Sequence, residues 1–135
     1  MRTISRTIEL TKAQIEALHT TAVPLVLAPV SGKAVVVLGA QIWKTSGLAA
    51  ASTGADLSIC YGAATTGDFL FTNVDNATGA LGDNAQNRIQ VATIVGSIAA
   101  QASGAAVSLF SNQAITCGAG DTTAKVKIDF QIIDL

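Results

Sequence analysis

The side chains able to do chemistry in this sequence are few and widely spaced. Its one histidine, His19, would have to serve as the base for any serine or cysteine nucleophile. Such a scheme needs a nucleophile, a base and an orienting acid, and the chain carries neither a G-x-S-x-G elbow nor a cysteine-protease signature. Cys60 and Cys117 stand alone, without C-x-x-C spacing, and are expected to be buried, reduced thiols. The two glutamates, Glu9 and Glu16, flank a junction between elements, and the aspartates Asp56, Asp68, Asp75, Asp83, Asp121, Asp129 and Asp134 are dispersed. A carboxylate pair for glycoside cleavage can form only if the fold brings two of them together.

Metal and phosphate chemistry fare no better. Asp75-Asn76 and Asp83-Asn84 offer hard oxygen ligands for calcium, yet the D-x-[DN]-x-[DN]-G order of a calcium loop is missing. Gly118-Ala-Gly120 lacks both phosphate-binding glycine patterns and is better read as a turn before a closing strand. Trp43 and Tyr61 are candidates for a sugar-stacking platform, though with so few aromatics each is more simply a core residue. His19 is expected at the end of a short helix, bonding a terminal carbonyl or facing water. The expectation is therefore of no catalytic, cofactor or metal site.

Elements that could position these groups follow from periodicity. Apolar residues alternate at Ile4, Ile8 and Leu10, at Val23, Leu25 and Leu27, and through the longer run from Val35 to Trp43. The pattern returns at Leu57, Ile59 and Tyr61, at Phe69 and Phe71, at Ile89, Val91 and Val95, at Val107 and Leu109, and from Val126 to Ile132. Period-two alternation bounded by Gly, Ser, Asn and Asp predicts about eight strands and an all-β fold, a β-sandwich with jelly-roll-like character. Pro24 cannot donate to a ladder, which puts its strand at an edge. One short helix is expected over residues 11–19, because Thr11 and Gln14 form a T-x-x-Q capping box and Leu10 and Ile15 are placed for a hydrophobic staple.

Composition narrows the function class. The 135 residues suit a single domain, 1–135, with residues 1–6 as an N-terminal arm able to offer strand-edge groups to a neighbour. Half of the residues are hydrophobic, yet aromatics are only 4% and charged residues only 13%, which leaves little charge to keep a free surface solvated. A chain of this kind is expected to bury surface against other subunits. The net charge of -1, with its basic residues scattered, gives no field for nucleic acid. No apolar run is long enough to cross a membrane as a helix, and MRTISRTIEL has no signal-peptide core, so synthesis in the cytoplasm is expected. The Asn73 to Asn87 stretch and the Ala-rich segments Ala49–Ala55 and Ala99–Ala106 are expected to be loops, the latter two able to lie flat on a neighbour.

The stretch from Ile8 through Thr21, followed by Val23-Pro-Leu-Val-Leu-Ala-Pro29 and Ser31-Gly-Lys33, resembles a segment of small tailed-bacteriophage structural proteins. Asp56 to Tyr61 and the closing Lys125 to Ile132 fit the same outline less specifically. The resemblance implies a virion protein of the capsid decoration, or cement, type: a homotrimer on the outer surface of the major capsid protein shell that stabilises the head. A tail or baseplate component is the alternative within the virion, and a carbohydrate-binding β-sandwich module the alternative outside it.

Overall fold

The structure is a computed structural model. It describes residues 2–47, 50–52, 55–62, 69–71, 81, 89–94, 103–117 and 122–135, with the side chains of 50–52, 69, 70 and 94 excepted. Among these are eleven strands and one helix: β1 (Ile4–Leu10), α1 (Lys12–Ala17), β2 (Val23–Val26), β3 (Lys33–Ser46), β4 (Ala50–Ser52), β5 (Leu57–Tyr61), β6 (Phe69–Phe71), β7 (Gln90–Val91), β8 (Thr93–Ile94), β9 (Val107–Ser111), β10 (Ile115–Cys117) and β11 (Thr123–Asp134). The protein is all-β, as the alternation predicts. Several strands are only two or three residues long, below what a periodic pattern can register.

Two antiparallel sheets make the sandwich. One has the order β1-β11-β3-β7, the other β2-β9-β5-β6-β8, and β10 pairs with β4 in a separate ribbon. The long strands β3 and β11 form its spine, paired from Thr123↔Ser46 to Asp134↔Lys33 with register shifts between Thr123 and Ala124 and between Asp129 and Phe130. Their alternation sends Ala124, Val126, Ile128 and Phe130 inward beside Ala40 and Ile42, while Lys125, Lys127 and Asp129 face outward. Across the core lie Leu57, Ile59, Phe71, Val107 and Leu109 of the second sheet, all within one buried cluster. Burying an aliphatic side chain of this size is worth roughly 1.5–3 kcal/mol, so this shared row is what joins the layers.

A bulge between Asp129 and Phe130 resets the parity of β3, leaving Leu38 as the extra residue. Lys44 sits on the inner row opposite Ala124 and is wholly buried. Its side-chain nitrogen has a hydrogen-bond partner, as does every buried side-chain nitrogen and oxygen among the described residues. At the end of β3, Gly47 has φ +84° and a Cβ there would lie 2.5 Å from the Thr122 Cα, so only glycine lets the chain turn against the buried Thr122.

The helix forms as its capping signal predicts. Gln14 N donates to Thr11 Oγ1 at 3.3 Å and Thr11 N donates to Gln14 Oε1 at 2.9 Å. Leu10, Ile15 and Leu18 are buried together in the core, which is what holds so short a helix in place. Pro24 does lie in an edge strand, β2, opposite Ser108 of β9.

Three expectations change. The run expected from Ile89 to Val95, of which Val95 lies outside the described residues, is not one half-buried strand. At Ala92 the chain passes from the first sheet, where β7 pairs with β3, to the second, where β8 pairs with β6. Ile89 and Val91 are consequently exposed. Within the Ala-rich Ala49–Ala55 stretch, Ala50–Ser52 is a strand, because Ile115–Cys117 offers it a partner. And Ile4–Arg6, the inner half of the expected arm, is paired to Phe130–Ile128 of the same chain, leaving Arg2 and Thr3 ahead of the strand. Met1 lies outside the described residues.

Candidate assembly surface

The residues singled out for chemistry are placed apart. His19 is exposed, and the last helical carbonyl is served instead by Thr20: Ala17 O accepts from Thr20 N at 2.9 Å, from Thr20 Oγ1 at 3.1 Å and from Thr21 N at 2.8 Å. The capping role expected of the imidazole is therefore filled by a hydroxyl three residues along, which reaches back with less loss of side-chain freedom. Glu9 extends into solvent toward Lys125 at 3.5 Å, whereas Glu16 accepts from Cys117 N at 3.4 Å on the other side of the junction. The two glutamates do not form a pair. Among the described residues no three His, Cys, Asp or Glu side chains gather into a metal-ligating group. Asp75, Asn76, Asp83, Asn84 and Gly118 to Gly120 lie outside the described residues, while Leu81, in the middle of that long stretch, is buried in the core.

Both cysteines are free and buried. The Cys60 thiol points to Ser108 O at 3.7 Å and Gly62 O at 3.8 Å. Burial, reinforced by the nearby Glu16 carboxylate, pushes the Cys117 thiol above its ordinary range, against the opposing pull of a Thr122 hydrogen bond and Lys12. Such a thiol stays protonated at neutral pH and is a poor nucleophile.

Trp43 and Tyr61 do not make a platform. Trp43 is on the outer row of the first sheet, beside Lys125, and is not a core residue. The inner positions of that stretch are taken by Ile42 and Lys44, so the indole is turned to the other face. Tyr61 packs against the core, and its hydroxyl accepts from Val37 N at 3.3 Å, tying the end of β5 to the edge of β3. A groove of about 390 Å³ lies between α1 and the start of β2, lined by Ala13, Gln14, Ala17, Thr21, Ala22, Val23 and Pro24. It presents small side chains and no titratable group.

What the fold does gather is apolar surface at one end of the sandwich. Leu135 N donates to Gly32 O, Lys33 N to Val30 O, and Gly104 N to Lys33 O, which binds the loop after β2, the last residue and the loop before β9 into one corner. Gly32 N is held by Ser103 Oγ at 2.7 Å. On this corner Leu27, Val30 and Leu135 are 69%, 68% and 67% exposed, and Ile132 is 38% exposed. Ion pairing between Lys33 and Asp134 lies at its side. Scattered exposed apolar residues need no explanation, but four near one corner of a chain so poor in charge make that corner a candidate assembly surface. The outer face of the same sheet is different in kind: Glu9–Lys125, Lys127–Asp129 and Ser5–Asp129 make it a polar lattice.

No family model matches the chain, and no curated protein matches it in sequence. Among solved structures, the fold superposes on a chain of the acidic stable capsid structure of Helicobacter pylori bacteriophage KHP30, with a TM-score of 0.53 at 14% identity over 98% of this chain and 92% of that one. The two chains share a fold across nearly their whole lengths.

Proposed function

We propose that this protein is a non-enzymatic structural protein of a bacteriophage virion, of the capsid decoration type: an oligomer, a trimer, that binds the outer surface of the major capsid protein shell and stabilises the head. The observation that carries the reading is the end-to-end likeness of its fold to a chain from a phage capsid structure. Fold alone does not dictate function, so the surface has to agree with it. It does: the apolar corner of Leu27, Val30, Ile132 and Leu135 is the region that assembly covers, and covering it removes from water the side chains least suited to remain there. A small subunit holding several such contacts at once multiplies weak individual affinities through avidity.

The test is retention of the purified protein on isolated phage heads and on isolated tails, by co-sedimentation, with the mass of the free protein measured by light scattering. Retention on heads, with a trimer mass, agrees with the proposal. Retention on tails alone, or a monomer that binds neither, contradicts it.

A further inference from the structure

The sheet edges differ in how they end. At β2, Pro24 removes a donor and the register slips between Pro24 and Val26, so the edge is short and broken. The β3 edge is blunted by the Leu38 bulge, by the Tyr61 hydroxyl on Val37 N, by Gly104 N on Lys33 O and by Ala92 N on Ala40 O. β7 and β8 are two residues each. β1 alone among these has none of these devices. It is seven residues long, holds unbroken register with β11 from Ile4↔Phe130 to Leu10↔Ala124, and contains no proline. One side of its backbone therefore presents a regular row of donors and acceptors to solvent, complementary to another extended strand.

We propose that β1 is the site of a two-fold contact with β1 of a second copy of this chain, antiparallel, with Thr7 opposite its counterpart. The occupant follows from self-complementarity. Thr7 is the midpoint of Ile4–Leu10, so a two-fold axis beside it overlaps the whole strand with itself. Ile4 then lies opposite Leu10 of the second copy, Ser5 opposite Glu9, Arg6 opposite Ile8, and Thr7 opposite Thr7. No two like charges are directly opposed, and a Thr–Thr pair sits at the centre, which is a favourable cross-strand combination; Leu10 is wholly buried in its own subunit, so the ends contribute backbone pairing. The rows continue into each subunit: Phe130–Ile4 runs on into the partner's Leu10 on the inner face, and Asp129–Ser5 into its Glu9–Lys125 pair on the outer face. A contact of this kind is isologous and uses residues other than the apolar corner, so it links oligomers rather than replacing their own contact. It stands independently of attachment to a head.

Cysteine cross-linking of the full-length protein reads the register. Under copper–phenanthroline oxidation, T7C is expected to form a covalent dimer several times faster than S5C or E9C alone, while S5C mixed with E9C links into a heterodimer; the buried Cys60 and Cys117 are the background. T7K, which sets two ammonium groups face to face at an exposed position, is expected to weaken self-association by roughly fivefold in sedimentation. Amide exchange over Ile4–Leu10 should slow as protein concentration rises. Equal cross-linking rates for the three single variants, or self-association unchanged by T7K, overturn the proposal. So does protection of β1 that appears only when capsid shells are added, since the strand would then belong to another protein.

Discussion

β11 begins in a core and ends in solvent: its apolar alternation holds from Ala124 to Phe130 and breaks at the adjacent Ile132 and Ile133. From Ala124 to Phe130 its inward side chains are buried, whereas Ile132 and the following Leu135 are exposed, although Val35, opposite Ile132 on β3, belongs to the core. The same apolar residue type is thus placed in two settings: Ile128 is wholly buried within this chain, and Ile132 is partly exposed at its surface. The difference teaches that the two spine strands are not buried alike at this end, since β3 stays in the core at Val35 where β11 does not at Ile132.

Changes to the two halves should separate stability from assembly. Ile128→Ala, in the closed half, is expected to cost about 2–5 kcal/mol in urea unfolding, because it opens a cavity between packed sheets. Val30→Asp combined with Leu135→Asp, at the open corner, should leave unfolding within about 0.5 kcal/mol of wild type, as surface changes usually do. It should abolish retention on heads. If that double variant unfolds as readily as Ile128→Ala, the corner is part of the core and the distinction between the halves fails.

Smaller effects sharpen the boundary of the closed half. Thr11→Ala removes the cap that starts α1 and should lower stability by about 1 kcal/mol without altering assembly. Cys117 provides a pH signature of the buried region. Its folded pKa is raised, so the folded state holds the thiol proton more tightly than the unfolded chain. The stability this contributes is complete below the ordinary thiol value of 9.0 and is lost as pH rises through the higher folded value. Urea midpoints should therefore fall more steeply above pH 9 for wild type than for Cys117→Ser.

Much of the fold was legible because local chemistry and tertiary structure agree. Thr11 and Gln14 announce the helix, Pro24 announces an edge, and Val126 to Phe130 announce a half-buried strand. The misses have tertiary causes. Trp43 reads as core and lies outside, while the adjacent Lys44 lies inside, because strand parity near the end of β3 follows its pairing with β11. Leu81 sits in a stretch with no periodicity yet is buried, since contact with the core does not require a regular element. The exchange of sheets at Ala92 leaves no mark in the apolar pattern and so exposes Ile89 and Val91 unannounced. The candidate surface was foreshadowed only as a property of composition, low charge with abundant small apolar side chains. Its location depended on the corner tied together by Gly32, Ser103 and Leu135, which no local signal encodes.

The most direct test of the central claim is cryo-electron microscopy of phage heads lacking this protein, imaged before and after adding it. The account predicts new three-fold density on the outer surface of the shell, with Leu27, Val30, Ile132 and Leu135 inside contacts. Unchanged heads, with the density found on the tail or nowhere on the particle, would contradict it.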